Sequence, residues 1–270
     1  FRVVGVGRES KCYHEDTGEI FDARILTESE FNTVSRVFAR LEQAAVFYNR
    51  SDVEEMREAV LPAKTEVIEE TSGRVVMFTP IFKRSLHSFA QDRGVDVTEL
   101  ELQPMFEQII RLLAFCHSVG IILRDLKPRK LVFDDEGRIR LHHVRDCVVL
   151  DDPCNDTVYE KFGSPAYVQP EVLSAGGAGY SGKAADMWSF GVLMYLLLLG
   201  RYPFFDKTPL GVLQRIMQAR VSLPLTCQLS RHARVLLYSL LRKCPEKRPT
   251  AESLSFIPWG LAKNQPSRGC

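Results

Sequence analysis

The hydrophobic pattern of this 270-residue chain changes near residue 80, and that change limits the folds open to it. Before it, short β-branched segments bounded by turn residues predict strands, interrupted by one long helical period. After residue 98, four long segments repeat apolar residues with a helical period, and loops containing Gly or Pro separate them. The predicted fold class is therefore α+β, with a small β-rich N-terminal part and a helical C-terminal part.

The pattern also predicts where individual elements lie. Strands are predicted within residues 2–7, 18–26, 65–70 and 73–82. Helices are predicted at residues 28–47, 101–120, 183–200, 209–219 and 230–243. A capping-box sequence, Ser-Asp-Val-Glu, predicts that a further short helix starts at Ser51.

Composition argues against several kinds of partner and location. The formal net charge of +1 gives no global attraction to nucleic acid or to an anionic membrane, so neither partner is expected. Seven cysteines without a Cys-x-x-Cys pair argue against a disulfide framework or a zinc cluster and favour a reducing, intracellular location. The longest apolar run, residues 187–200, is shorter than the roughly 20 residues that span a bilayer and predicts a buried core helix.

Short motifs follow one another in a fixed order through the C-terminal half. They are RDLK at 124–127, GRIRLHHVR at 137–145, GSPAYVQPE at 163–171, DMWSFGV at 186–192, GRYPF at 200–204 and KRPT at 247–250. This order is that of the landmarks of a protein-kinase C-lobe. The sequence therefore resembles a bilobal protein-kinase-like fold.

The kinase resemblance implies a domain layout and three structural residues. Residues 1–82 would form the N-lobe, 83–262 the C-lobe and 263–270 a polar tail, so that the whole chain is one kinase-like domain. Because the chain starts at Phe1, flanking functional segments are expected outside it. The resemblance also implies that Glu171 pairs with Arg248 and that Asp186 braces the catalytic loop.

Four longer stretches narrow the resemblance to one family. LRDLKPRKLVF at 123–133, SPAYVQPEVL at 164–173, YSGKAADMWSFGV at 180–192 and LLRKCPEKRPTA at 240–251 are similar to the Tribbles family of pseudokinases. That resemblance implies an inactive scaffold that binds a substrate such as a C/EBP-type transcription factor and promotes its degradation or inhibition. It further implies MAP-kinase cascade kinases as partners, a COP1-type ubiquitin ligase bound through a tail that is not visible in this chain, and a nuclear or cytoplasmic location.

The residues themselves argue against ordinary phosphoryl transfer. In the kinase pattern H-R-D-L-x-x-x-N, the Asp accepts the proton of the substrate hydroxyl and the Asn holds a magnesium ion. Asp125 and Lys127 are present, but Lys130 occupies the Asn position, and His143, Val144 and Arg145 occupy the Asp-Phe-Gly position. Because both metal ligands are missing, ATP and magnesium are expected to bind weakly or not at all.

The N-terminal nucleotide site is predicted to be degenerate as well. The segment IFDARIL aligns with the kinase strand that carries the phosphate-binding lysine, which places Arg24 at that position. Glu42 is the predicted helix partner of Arg24. Gly5 and Gly7, followed by Ser10 where the last loop glycine would be, are interpreted as an ordinary turn.

A weak atypical, metal-independent Ser/Thr protein kinase is the alternative function. Lys130 and His143 would place positive charge where magnesium normally sits, and Arg24 and Lys127 would add more. A side-chain cation cannot bridge two phosphates as a divalent ion does, so the inactive scaffold is preferred. No metal site is predicted, since His142 and His143 are adjacent on a predicted strand and would point to opposite faces.

An acidic segment after the degenerate motif is the predicted partner-binding surface. Residues 146–163 carry Asp146, Asp151, Asp152, Asp156 and Glu160 against one cation, Lys161. In the Tribbles family, which this segment resembles, the activation segment contributes to substrate docking. We therefore expect Asp151, Asp152, Asp156 and Glu160 to bind a peptide in which basic residues flank an apolar anchor. A solvated charged face is the alternative interpretation.

Overall fold

The computed structural model describes residues 2–4, 9–47, 50–62, 64–69, 73–93, 97–224 and 227–257. The chain divides into two units, the first formed by Phe1–Gln91, Ser118–Arg124 and Pro128–Asn155, the second by Asp92–His117, Asp125–Lys127 and Asp156–Cys270. This division does not coincide with the boundary predicted after residue 82. The reason is that segments between residues 118 and 155 pair and pack with elements of the N-terminal part.

A five-stranded antiparallel sheet forms the β-rich part of the first unit. Its strands are β1 (Arg2–Val4), β2 (Glu9–Tyr13), β3 (Ile20–Ile25), β4 (Glu66–Glu69) and β5 (Val75–Pro80), in the spatial order β1-β2-β3-β5-β4. Since side chains alternate between the faces of a strand, one face of the central strands is apolar. It supplies a buried cluster of Cys12, Phe21, Ala23, Val76 and Phe78.

Helix α1 (Glu28–Phe47) follows β3 directly, and a capping box fixes its start. The Glu30 backbone N–H donates to Thr27 Oγ1 over 3.2 Å, and the Thr27 N–H donates to Glu30 Oε2 over 2.9 Å. Helix α2 (Arg50–Val60) is the further short helix that the sequence predicts, and it begins one residue before the predicted start at Ser51. Ser51 lies inside the helix.

Short strands complete the first unit. Strands β6 (Arg84–Ser85), β8 (Leu131–Phe133) and β9 (Ile139–Leu141) form a three-stranded antiparallel sheet, and β7 (Ile121–Ile122) pairs with β10 (Val148–Val149). A 3-10 helix, Pro128–Lys130, leads into β8. On β9, the buried Arg140 donates to Asp134 Oδ2 over 2.9 Å and to the Glu55 carbonyl of α2 over 3.2 Å.

Arg40 fastens α1 to the β7–β10 pair. Its guanidinium donates to the Val119 carbonyl over 3.0 Å and to the Leu150 carbonyl over 2.7 Å. Gly120, between them in space, has φ +75°, and a Cβ there would lie 2.9 Å from the Arg40 guanidinium and 3.1 Å from Pro153. Glycine is therefore needed at this position both for its backbone conformation and for the space that Arg40 occupies.

The second unit is mainly helical. Its elements, with the connecting helix that precedes it, are α3 (Leu86–Arg93), α4 (Glu99–Ser118), β11 (Thr157–Val158), α5 (Pro170–Ser174), β12 (Tyr180–Ser181), α6 (Gly182–Leu199), α7 (Pro209–Gln218), α8 (Arg231–Leu240), a 3-10 helix (Pro245–Lys247) and α9 (Ala251–Ser255). Helix α6 is long and apolar enough to cross a membrane by length and composition, but 72% of it is buried inside the protein. Its buried side chains include Trp188, Phe190 and Tyr195, so α6 is the core helix that the sequence predicts.

The long periodic segments were predictable, and the short elements were not. The five predicted long helices coincide with α1, α4, α6, α7 and α8 to within three residues at each end. Strand β2 and helices α3, α5 and α9 are missing from the prediction because they are too short to show a clear period. The α+β class, with a β-rich N-terminal part and a helical C-terminal part, is confirmed.

The predicted pair between Glu171 and Arg248 is present in the second unit. The Arg248 guanidinium is fully buried and donates to Glu171 Oε2 over 2.7 Å and to the Ala184 carbonyl over 2.9 Å. It also lies 4.9 Å from the ring centroid of Trp188 on α6. This bidentate pair therefore joins α5, α6 and the segment after the second 3-10 helix.

Arg248→Lys should destabilise the chain by about 3–5 kcal/mol, since an ammonium keeps the charge but loses the two-pronged contact and the stacking on Trp188. Urea unfolding followed by tryptophan fluorescence measures the loss. Arg215→Lys is the matched control, because Arg215 pairs with Asp206 but is 58% exposed, and its midpoint should stay unchanged. Equal effects of the two substitutions would contradict the structural role of Arg248.

Candidate functional site

Arg24 holds the position of the kinase phosphate-binding lysine, and its partner is Glu30. Arg24 lies on β3, and its Nη2 is 3.0 Å from Glu30 Oε1 in the first turn of α1. Burial alone would raise the pKa of Glu30, but the Thr27 backbone hydrogen bond and the Arg24 charge hold that pKa below its ordinary value. The carboxylate is therefore ionised at neutral pH and neutralises Arg24.

The prediction that Glu42 pairs with Arg24 is wrong. Glu42 lies on α1 but is exposed, whereas Glu30 lies in the first turn of α1, close to the end of β3. The sequence contained a signal for this, because Thr27-x-x-Glu30 is a capping box that fixes Glu30 at the helix start. Gly5 and Gly7 lie outside the described residues, so their interpretation as a turn stays a prediction.

Lys130, at the position of the metal-binding asparagine, is buried with its own counter-charge. It ends the first 3-10 helix, and its Nζ lies 2.6 Å from Asp146 Oδ2. Burial would raise the pKa of Asp146, but Lys130 lowers it, so the carboxylate is ionised. The Lys130 ammonium therefore occupies the metal-ligand position, and the Asp146 carboxylate neutralises its charge. In the sequence, Asp146 is one of several acids in its segment, and no local pattern links it to Lys130.

His143, at the position of the metal-binding aspartate, is uncharged at neutral pH. Burial and the nearby charges of Arg145 and Lys130 lower its pKa to about 3. Its Nδ1 lies 3.9 Å from Asp146 Oδ2, beyond hydrogen-bond distance. The positive charge that the alternative kinase reading places on His143 is therefore not available at neutral pH.

Arg145, the last residue of the degenerate motif, joins the same ion network. Its Nε lies 3.6 Å from Glu30 Oε1, so Glu30 faces two guanidinium groups. Val144, between His143 and Arg145 in the sequence, is fully buried. Of the three residues at the Asp-Phe-Gly position, Val144 contributes packing and Arg145 an ion pair, and none of them is a carboxylate.

His142 and His143 do not lie on a strand, so the prediction that their side chains point to opposite faces of one is wrong. Strand β9 ends at Leu141, and the two imidazole rings lie 5.7 Å apart, inclined at 54°. They are therefore not held on opposite faces of a strand. In the described part of the chain, no group of three or more His, Cys, Asp or Glu side chains is arranged to hold a metal ion.

A polar cavity of about 250 Å³ lies beside Arg24 within the first unit. Its lining includes the cations Lys11, Arg24 and Arg145, with Asp22 as its acid. Ser10, which follows the degenerate glycine pattern, and His142 also line it. The cavity therefore offers contacts to an anion more than to a cation.

These residues do not fit the magnesium site of a protein kinase. Magnesium requires oxygen ligands in near-octahedral geometry. The two positions that would provide them carry the Lys130 ammonium, already paired with Asp146, and the neutral His143 imidazole. No step of phosphoryl transfer through a bound metal follows from this arrangement.

Asp125, at the position of the catalytic base, is engaged by its neighbours in the second unit. It is 4% exposed and accepts hydrogen bonds from the Ser164 backbone N–H over 2.9 Å and from Lys127 Nζ over 2.5 Å. Lys127 Nζ also donates to Ser164 Oγ over 2.9 Å. Asp125 therefore connects the catalytic-loop residues to the GSPAY segment.

The remaining predicted residues have local structural partners. Asp186 is fully buried, with Oδ2 3.0 Å from His117 Nε2; its bracing of the catalytic loop stays a prediction. Asp156 accepts hydrogen bonds from Ser181 Oγ over 2.5 Å and from the Lys183 N–H over 3.1 Å at the start of α6. Asp156 therefore helps to cap α6.

The other acids of the predicted partner surface are exposed. Asp151 pairs with Arg36 of α1 over 2.5 Å, and Asp152 accepts a hydrogen bond from the Cys154 N–H over 2.8 Å. Both belong to the first unit, whereas Glu160, like Asp156, belongs to the second. A role of these four acids in partner binding stays a prediction.

His143 should make the chain less stable in mild acid. Its pKa of about 3 lies below the ordinary value of 6.5, so the unfolded chain binds a proton that the folded chain does not. Stability is therefore full above pH 6.5 and falls as the pH drops toward 3, by about 2 kcal/mol at pH 5 from this group. Urea unfolding at pH 7.5 and 5.0 measures it. His143→Gln should reduce the pH dependence by that amount, and an unchanged dependence would contradict the burial of a neutral imidazole.

Comparisons with known proteins identify the family. The family profile described as "Protein kinase domain" matches residues 3–260. "Tribbles homolog 2" of Canis lupus familiaris is 42% identical over 72% of this chain and 56% of its own length. "Tribbles" of Drosophila melanogaster is 34% identical over 95% of this chain, and "Tribbles homolog 3" of Homo sapiens is 35% identical over 94%.

The chain spans 56%, 54% and 66% of these three relatives, so each has sequence that this chain does not cover. The residues that match the family profile, 3–260, include both metal-ligand positions and the whole ordered set of kinase landmarks. The resemblance drawn from the motifs is therefore confirmed: this chain carries a protein kinase domain and belongs to the Tribbles family of pseudokinases.

Proposed function

We propose that this chain is a scaffold that binds protein partners and does not transfer phosphate. The observation that carries the proposal is the ion pair between Lys130 and Asp146, over 2.6 Å. It fills one metal-ligand position with an ammonium, while the neutral His143 fills the other. Phosphoryl transfer depends on positioning and charge neutralisation by metal ions, and losing one comparable charge-stabilising group costs about 10³–10⁵ in rate.

The proposed partners follow from membership of the Tribbles family. The substrate would be a transcription factor of the C/EBP type, whose degradation or inhibition the scaffold promotes. A COP1-type ubiquitin ligase would bind through a segment outside this chain, and MAP-kinase cascade kinases would be further partners. The proposed location is intracellular, in the nucleus or cytoplasm, which is compatible with the six cysteines of the described part of the chain being thiols.

The acidic residues after the degenerate motif remain the proposed docking contacts for such a partner. Asp152 and Glu160 are the better residues for testing this, because Asp156 also caps α6 and Asp151 already pairs with Arg36. Neutralising Asp156 would mix a loss of partner binding with a loss of folding.

ATP should bind weakly or not at all, and magnesium should not improve its binding, since neither metal-ligand position supplies an oxygen. Isothermal calorimetry with ATP, in magnesium and in chelator, tests this. The matched control is the double variant Lys130→Asn, His143→Asp, which restores both ligand types and should gain magnesium dependence. A micromolar, magnesium-dependent affinity of the unaltered chain would contradict this prediction, whereas a micromolar affinity that persists in chelator would favour the metal-independent atypical kinase.

Asp125→Asn should leave partner binding unchanged within about twofold, because the proposed scaffold uses no catalytic base. Surface plasmon resonance against an immobilised C/EBP-type transcription factor measures it. Asn keeps an oxygen acceptor for the Ser164 N–H, whereas the control Asp125→Ala removes it and should lower the unfolding midpoint. Absence of binding by the unaltered chain would contradict the proposed partner. Phosphate transfer that Asp125→Asn abolishes would contradict the scaffold.

A further inference from the structure

Two neighbouring grooves flank helix α7 within the second unit. One, of about 760 Å³, is lined by apolar side chains of Leu173, Leu210, Leu213 and Met217, with Arg220 and Lys243 beside them. The other, of about 720 Å³, is lined by Tyr195, Tyr202 and Phe205 and by Arg201, Arg215 and Arg220. Arg220 and Gln218 line both grooves, so they form a continuous surface, called here the α7 surface.

Two large apolar side chains of the α7 surface, one from the segment between α6 and α7 and one from the start of α7, are exposed to solvent. Phe205 is 72% exposed and Leu210 is 65% exposed. Beside Phe205, Phe204 stacks on Trp188 with ring centroids 5.4 Å apart, and Tyr202 packs edge-on against Tyr167 at 5.8 Å. The buried ring of Phe204 therefore fixes the loop so that Phe205 points outward. Exposed anchors of this kind mark interaction sites when they line a groove.

The surface is also basic, although the chain as a whole is nearly neutral. Residues 200–222 contain four cations, Arg201, Lys207, Arg215 and Arg220, and one acid, Asp206, which gives +3 against +1 for the whole chain. Asp206 is already engaged by Arg215, with Arg215 Nε 2.9 Å from its Oδ2. Among the residues that the structure describes, no carboxylate forms an ion pair with Arg201 or Arg220. Arg201 also interacts with the Tyr195 hydroxyl in the same groove. A hydroxyl does not neutralise a guanidinium, so Arg201 and Arg220 can both meet the carboxylates of an acidic ligand.

We propose that the α7 surface binds an acidic peptide segment with apolar anchors. The anchors would enter the groove lined by Leu210, Leu213 and Met217, while carboxylates of the peptide would meet Arg201 and Arg220. Charges at the edge of such a surface speed association, and buried apolar anchors slow dissociation. A peptide fits better than nucleic acid or a membrane, because the surface combines several large apolar side chains with few cations. The site is independent of the proposed function, since it would exist whether or not the chain transfers phosphate.

A displayed library of random twelve-residue peptides, selected on the immobilised chain, tests the proposal. We expect enrichment of peptides with two or more Asp or Glu residues beside Leu, Ile or Phe. A fluorescein-labelled enriched peptide, measured by anisotropy, should bind Arg201→Glu, Arg220→Glu at least about tenfold more weakly, with reduced salt sensitivity. Phe205→Ser, Leu210→Ser should also weaken binding by about tenfold, through loss of the anchors.

Arg231→Glu is the matched control, because Arg231 is an exposed arginine of the same unit that lines neither groove, and it should bind within about twofold of the unaltered chain. All substituted residues are exposed, and the milder pair Arg201→Gln, Arg220→Gln should weaken binding in the same direction. The proposal would be overturned by no enrichment of acidic peptides, by equal binding of the Arg201/Arg220 variants, or by equally tight binding when Gln replaces the acids. Equally tight binding of poly(U) RNA or of phosphatidylserine vesicles would overturn it in favour of a general polyanion surface.

Discussion

A buried charge is costly unless an opposite charge or several hydrogen bonds accompany it, and this requirement organises both units of the chain. In the first unit, Lys130 is held by Asp146 and Arg140 by Asp134. In the second, Arg248 is held by Glu171, and Asp125 by Lys127 and Ser164. Each pair joins segments distant in sequence or fixes a loop, so its charge complementarity also determines local geometry.

The same requirement explains how a kinase-like site can lose its metal ligands and remain ordered. Removing an oxygen ligand leaves space and uncompensated potential, which another group must fill. Here an ammonium enters one position and takes its own carboxylate, and a neutral imidazole enters the other. The result is an arrangement in which the charge of Lys130 is balanced by a carboxylate of the chain itself. That property suits a protein that acts through binding.

Sequence reasoning recovered features that depend on local pattern or on motif order. The long helices, the α+β class and the Glu171–Arg248 pair are of this kind, because periodicity and known landmarks specify them. It did not recover ion pairs between residues that are distant in the sequence, because no sequence pattern connects the two members of such a pair. Lys130 and Asp146 are 16 residues apart with two strands between them, and Glu30 competes with Glu42 on one helix. The division into two units also differs from a boundary after residue 82, since β8 pairs with β6 and residues 118–124 and 128–155 cluster with the N-terminal part.

Helix α1 illustrates what these contacts mean for motion. It is fastened near its start by Glu30 to Arg24 and Arg145, and further along by Arg40 to two backbone carbonyls. Two hydrogen bonds from a charged donor are together worth about 3–6 kcal/mol, so a conformer in which α1 has moved away from these carbonyls would be populated at roughly one part in a hundred to one part in ten thousand. A small molecule that selected that conformer would lose a corresponding part of its intrinsic affinity. Substitution of Arg40 would raise the population of this conformer, so that small molecules that bind it could be found more easily.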